Sequence, residues 1–222
     1  MVKVNGKMAL WDEEPSNGTF TAIVKFDARS GRMKRVERGP NGNEEIDITR
    51  TFKAVIDMEN IEIGWSKFAA GMAPSWVMVP RGNPFPPKPE EEEYRRSFRT
   101  YLKLSKECGG DIRELGGSSK ALLDGFNAVH DRYLAEKTNH PGKLPVVELG
   151  EPREVITETK KGKNTNYAPD FKIIGWAARP EGLGVAAKAA PAPAPARAAP
   201  PSTGSSRAAP PPVVEVDEDD FG

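Results

Sequence analysis

The sequence predicts a mainly β domain with one helix, followed by a disordered tail. Three observations indicate this fold class. Several segments of the body are rich in β-branched residues and alternate between apolar and polar positions, as half-buried strands do. A single segment late in the body repeats its apolar residues with helical spacing. From residue 185 onward the composition changes to alanine, proline and serine, which bury too little apolar surface to offset the entropy cost of ordering the chain.

Alternating side chains predict strands throughout the body. The longest such segment, residues 46–58, places six alternating residues on one face: Ile46, Ile48, Arg50, Phe52, Ala54 and Ile56. The other predicted strands cover residues 19–26, 60–65, 75–80, 143–150, 153–161 and 170–178.

Residues 97–105 fit two structures. As a strand, the segment places Arg99, Tyr101 and Lys103 on one face and its apolar residues on the other. As a helix beginning near the glutamates of residues 90–93, it gains i,i+4 pairs between acidic and basic side chains. We favour the strand.

Residues 118–136 are predicted to form the one helix. Ser118 or Ser119 is expected to cap its first turn, and Asn139 to Gly142 to end it. The apolar face consists of Leu122, Leu123, Phe126, Val129, His130, Tyr133 and Leu134.

The order of the elements is several strands, one helix and then two or three strands. In a domain of this size, that order fits an OB-like Greek-key barrel over residues 1–184. A β-sandwich with a helical insert is the alternative. Residues 185–212 are then a disordered Ala/Pro/Ser linker, and residues 213–222 are an acidic C-terminal tail.

Signals of catalysis are sparse. The chain has one cysteine, Cys108, and two histidines, so it predicts neither a disulfide nor a zinc site. No Gly-Lys pair is followed by serine or threonine, which excludes a phosphate-binding P-loop. The glycines of residues 182–187 resemble a dinucleotide fingerprint but lead into the linker instead of a helix. We therefore expect no enzyme, no cofactor and no metal.

The N-terminus lacks the apolar region of a signal peptide, and no apolar run reaches the length of a membrane span. The sequence thus predicts a cytoplasmic protein that does not bind membranes. Its oligomeric state stays open, a homodimer included.

Two basic segments predict a nucleic-acid interface. Residues 25–38 carry six basic side chains and lead into a glycine-rich turn, which suggests a mobile, positive β-hairpin: Lys25, Arg29, Arg32, Lys34, Arg35 and Arg38. Residues 158–172 carry three lysines followed by an aromatic ring: Lys160, Lys161, Lys163 and Tyr167. The predicted strands add Arg50, Arg99, Tyr101 and Lys103. Cations that follow phosphates, with rings on which bases stack, are what single-stranded nucleic acid requires.

The acidic tail is expected to act on such an interface and to bind partner proteins. It combines five carboxylates with one ring: Glu215, Asp217, Glu218, Asp219, Asp220 and Phe221. The carboxylates are expected to compete with nucleic acid for the basic groove. When displaced, they are expected to meet a basic partner while the phenylalanine enters an apolar pocket.

Residues 109–133, 142–149 and 166–180 are similar to the helix and closing strands of bacteriophage single-stranded DNA-binding proteins of the OB-fold type. The family shares this order of elements and an acidic end that carries phenylalanine, which corresponds here to Glu215–Phe221. The resemblance implies a sequence-tolerant protein that coats single-stranded DNA in phage replication or recombination, in the host cytoplasm. It also implies that the tail recruits replication and recombination proteins. In the family the phenylalanine is usually terminal, whereas here Gly222 follows Phe221.

Two alternatives remain. An RNA-binding OB-fold protein would present the same cations and rings, because only a site that reads the 2′-hydroxyl separates RNA from DNA. An interaction adaptor or chaperone with an acidic tail would not need basic loops that carry aromatic residues.

Overall fold

The computed structural model describes residues 22–39, 42–68, 74–159 and 162–184. Within these ranges the protein is mainly β with one long helix, which confirms the predicted class. The linker of residues 185–212 and the acidic tail of residues 213–222 lie outside the described residues.

Twelve strands and one α-helix, α1, make up the described chain, with two single-turn 3-10 helices at Lys106–Cys108 and Lys137–Asn139. The helix α1 runs from Lys120 to Glu136. The strands are β1 (Ile23–Asp27), β2 (Arg32–Gly39), β3 (Gly42–Asp47), β4 (Lys53–Ile56), β5 (Glu62–Lys67), β6 (Ser75–Pro80), β7 (Arg95–Leu104), β8 (Ile112–Gly117), β9 (Lys143–Leu149), β10 (Arg153–Thr159), β11 (Gly162–Ala168) and β12 (Phe171–Ala178).

Ten of the strands form one sheet, whose main path is β12-β9-β4-β7-β8-β1-β2-β3. The strand β5 pairs with the first half of β7 and also with β6, so the β5–β6 hairpin extends the sheet beside that path. The pair β1–β8 is parallel, and β10–β11 form a separate hairpin. Over the described residues the path is open, with β12 and β3 at its ends.

The helix α1 covers one face of the sheet and closes the main core. Ser119 caps it, because its hydroxyl accepts a hydrogen bond from the Leu122 N–H at 3.2 Å, as one of the two predicted caps should. Phe126 stacks on Phe98 of β7, with 3.9 Å between the ring centroids. Gly125 lets the helix approach the chain that follows β11, since a Cβ there would lie 2.5 Å from the Pro169 carbonyl oxygen. No helix of the described chain is both long and apolar enough to cross a membrane.

The C-terminal end of the described chain is clamped to the sheet. Arg179, just after β12, donates to both carboxylate oxygens of the buried Asp57, at 2.6 and 3.2 Å, and to Glu59 at 2.6 Å. Asp57 in turn bonds β7 through its main chain, donating to the Tyr101 carbonyl at 2.9 Å. Leu183 completes a second small core with Val55, Leu144, Val146 and Ala177.

The predicted strand over residues 46–58 is wrong in its first half. The strand β3 ends at Asp47 and β4 begins at Lys53, with a turn between them. The Asp47 carboxylate accepts from the Thr49 N–H at 3.0 Å, the Asx-turn that competes with a continuing strand. Ile46 and Arg50 are consequently exposed, while Phe52 is buried in the core.

Candidate nucleic-acid interface

A surface groove of about 500 Å³ lies where three distant parts of the chain meet. The turn after β1, the β3–β4 loop and the β10–β11 hairpin each supply part of its lining. Three residues that the sequence predicted as nucleic-acid contacts meet there: Arg32, Arg50 and Tyr167. The rest of the lining consists of Ser30, Gly31, Asp47, Thr49, Thr51 and Pro152.

The turn after β1 positions the first wall of the groove. The Asp27 carboxylate accepts from the Arg29 N–H at 3.0 Å and from the Ser30 hydroxyl at 2.8 Å. The hydrogen bond from Ser30, followed by the one from the main chain, holds the pKa of Asp27 below its ordinary value. Gly31 has φ +70°, and a Cβ there would lie 3.1 Å from a Tyr167 ring atom, so both the turn and the ring require glycine.

The β3–β4 loop forms the second wall, and Asp47 organises it. Its carboxylate accepts from the Thr49 hydroxyl at 2.6 Å and from Arg32 at 2.5 Å. These bonds, those of Thr49 first, lower the pKa of Asp47 to about 2. The Thr49 hydroxyl also accepts from the Met33 N–H at 2.9 Å, which ties the loop to β2. The loop is therefore held in place before any ligand arrives.

The third wall is the β10–β11 hairpin, which holds Tyr167 against the turn after β1. The Tyr167 N–H donates to the Ala28 carbonyl at 2.7 Å. The ring is half-buried and packs against the main core. Its place beside Gly31 puts an aromatic side chain in the lining of the groove.

The charge of the groove comes from its arginines. Arg50 is exposed, and within the described ranges it forms no ion pair. Arg32 is 60% exposed but pairs with Asp47. Arg29, in the adjoining turn, is exposed and also has no ion pair among the described residues. The lining thus carries two arginines against one carboxylate, which leaves it positive.

The other basic residues of 25–38 are largely neutralised. Lys25 and Lys34 both pair with Glu45 on β3, and Glu45 raises the pKa of Lys34 through a hydrogen bond. Arg35 donates to the Cys108 carbonyl at 2.8 Å and lies 3.3 Å from Glu37. The predicted hairpin is present, because residues 32–39, Arg38 included, form β2 and pair antiparallel with β3, but the acidic residues of β3 compensate part of its positive charge.

The predicted residues of β7 lie away from the groove. The strand itself is confirmed, with Phe98 and Leu102 on the core side. Arg99 is held by Glu62 at 2.5 Å and faces Glu114 at 3.8 Å. Burial raises the pKa of Tyr101, which packs against the second core. Neither these two side chains nor Lys103 lines the groove.

The remaining predicted contacts fall partly outside the structure. Lys160, Lys161 and the tail residues lie outside the described residues; the latter are Glu215, Asp217, Glu218, Asp219, Asp220 and Phe221. Lys163 lies on β11 opposite Glu158, and it was expected on a loop.

The prediction missed six lining residues, of which four have polar side chains in the two turns: Ser30, Asp47, Thr49 and Thr51. The Asp-x-Thr pattern at Asp47–Thr49 is a turn signal that could have located this wall. Over the described ranges, no cluster of three or more His, Cys, Asp or Glu residues is arranged to hold a metal ion.

The groove thus joins two arginines, a tyrosine ring and several hydroxyl groups, the chemistry of a phosphate-and-base site. Comparisons of the chain with protein-family models, with curated proteins and with solved structures give no match.

Proposed function

We propose that this chain is a non-catalytic, sequence-tolerant single-stranded DNA-binding protein that coats and protects DNA during replication or recombination. One observation carries the proposal: a groove of about 500 Å³ gathers Arg32, Arg50 and Tyr167 from three separate parts of the sequence. The arginines neutralise phosphates and the ring stacks on a base. The groove has the volume of an ordinary ligand site, which is about 300–1,000 Å³.

The lining favours single strands over duplex DNA. Stacking on Tyr167 requires a base whose face is free, and the faces of paired bases are covered in a duplex. The groove is built from turns and a hairpin base, and duplex readers instead insert a helix or ribbon into the major groove. A strand that enters the groove would therefore be unpaired.

The proposal includes an OB-like arrangement of the strands. An OB-fold is a partly open Greek-key barrel that binds oligonucleotides partly through its loops. The open sheet path, the single long helix and a groove lined by loops support this arrangement. The acidic residues 213–222 complete the proposal as a competitor for the groove and a recruiter of replication and recombination proteins.

Binding of labelled oligodeoxythymidylate, its duplex and oligouridylate at several salt concentrations tests the function. Single-stranded DNA should bind best. Tyr167→Ala should cost roughly 1–3 kcal/mol, the worth of one stacked base. Arg50→Gln should reduce the salt slope by about 0.7, the value for one phosphate on a single strand.

Arg132→Gln is the matched control, because Arg132 is exposed on α1, outside the groove, and its ion-pair partner among the described residues is Glu136. A duplex preference, or identical salt slopes for Arg50→Gln and Arg132→Gln, would contradict the proposal. Tighter binding of oligouridylate would instead identify an RNA-binding protein.

A further inference from the structure

The β5–β6 hairpin carries two groups that each join a tryptophan, a phenylalanine and an arginine. The first contains Trp65 and Phe85, whose ring centroids lie 5.5 Å apart at an angle of 70°. The second contains Phe68 and Trp76, 5.4 Å apart at 84°. Each group also has an arginine of β7: Arg96 lies over both rings of the first, and Arg99 lies over the Trp76 ring of the second.

Cross-strand register assembles the first group, called here the Trp65 group (Trp65, Phe85 and Arg96). Trp65 lies opposite Arg96 on β7 and opposite Val77 on β6, so all three share one face of the sheet. The Trp65 indole N–H donates to the Pro86 carbonyl at 2.9 Å, which fixes the ring and brings the 81–93 segment beside it. Phe85, next to that anchor, is 42% exposed.

The two groups differ in whether a carboxylate compensates the charge of their arginine. Arg99 is bound by Glu62 at 2.5 Å and faces Glu114, so carboxylates already compensate its charge. Arg96 is exposed, and in the described part of the chain it forms no ion pair. Its guanidinium lies 5.5 Å from the Phe85 centroid and 6.0 Å from that of Trp65. Two glutamates of the nearby acidic run, Glu91 and Glu93, are both bound by Lys67.

We propose that Trp65, Phe85 and Arg96 form a second nucleotide site for the strand that occupies the groove. An exposed ring supplies a stacking surface that tolerates any base, and an uncompensated guanidinium beside it supplies the phosphate contact. The fixed indole means that little ordering accompanies binding. This inference rests on the proposed function, because it assigns further contacts to the same ligand.

The test measures full-length protein binding to one long oligodeoxythymidylate at several salt concentrations. Phe85→Ala should weaken binding by roughly fivefold or more, the effect of one lost stack. Arg96→Gln should reduce the salt slope by about 0.7, and Arg50→Gln with Arg96→Gln by about 1.4, since two phosphates are contacted independently. Phe68→Ala is the matched control, because this ring is even more exposed than Phe85 (53% against 42%) but belongs to the group with a compensated arginine, and the variant should bind as wild type.

The outcomes separate the two proposals. If Arg50→Gln weakens binding while Phe85→Ala and Arg96→Gln match Phe68→Ala, the second site is wrong and the groove stands. If no variant changes the affinity or the salt slope, both proposals fail. If Phe85→Ala leaves DNA affinity unchanged but alters the sedimentation of the protein, the surface binds protein and the inference is overturned.

Discussion

At the scale of single residues, the carboxylates decide which cations face a ligand. Glu45 forms ion pairs with Lys25 and Lys34, and Asp47 forms one with Arg32. A count of the basic residues along 25–38 therefore overstates the positive charge that is available to a ligand. Arg50 keeps its charge uncompensated within the described chain because the Asx-turn at Asp47 ends β3 and turns Arg50 outward to solvent. The Asp47 carboxylate therefore holds the β3–β4 loop in its conformation and compensates one of the two arginines of the groove.

The pH dependence of stability should reveal the role of Asp47. Its folded pKa is about 2, below the 3.8 of the free side chain, so its contribution is complete above pH 3.8 and lost as the pH falls toward 2. Because the carboxylate is 39% exposed, we expect at most about 1 kcal/mol. Urea unfolding of wild type and Asp47→Asn should differ at pH 6 and converge near pH 2. An equal difference at both pH values would show that the charge is not involved.

At the scale of secondary-structure elements, the sequence allowed prediction of strands with alternating apolar residues and of the capped helix. It indicated β2 only as part of the basic hairpin and did not predict β8 or β11, because these strands are rich in charged residues, glycine or asparagine: RMKRVERG, IRELGG and GKNTNYA. Their stability comes from pairing with neighbours, which local patterns do not record. The sequence predicted the basic and aromatic residue types of the groove but not which of them meet. Its walls are joined by contacts between distant parts of the chain, such as the hydrogen bond from Tyr167 to Ala28.

The contact of α1 with the chain that follows β11 predicts whether Gly125→Ala stabilises or destabilises the protein. In a helix interior, Gly→Ala normally stabilises by about 1 kcal/mol. Gly125→Ala should instead destabilise by roughly 1–3 kcal/mol, because its Cβ would overlap the Pro169 carbonyl oxygen. Asn127→Ala, at an exposed position of the same helix, should be neutral or slightly stabilising. A higher melting temperature for Gly125→Ala would mean that the helix and this segment are farther apart.

At the scale of the whole molecule, charge is divided between the domain and its end. The last ten residues hold five carboxylates and no basic residue, whereas the groove is positive. Removal of residues 213–222 should therefore tighten DNA binding at low salt, and high salt should erase the difference.

Phe221→Ala should leave DNA affinity nearly unchanged and impair capture of replication partners, because competition needs the acids while pocket insertion needs the ring. Binding assays on full-length, truncated and Phe221→Ala protein measure both effects. Equal low-salt DNA affinity for all three would remove the competitor role of the tail.

The clamp of Arg179 on Asp57 has a mechanical consequence. The linker begins after Gly184, so a partner that pulls on the tail loads Arg179 and Leu183 first. Asp57 passes that force to β7 through its main-chain bonds, at the C-terminal end of β4. The loop residues of the groove, Thr49 to Thr51, precede the opposite end of β4. Under the proposed function, force that a replication protein exerts on the tail should therefore load β7 and leave the groove unchanged.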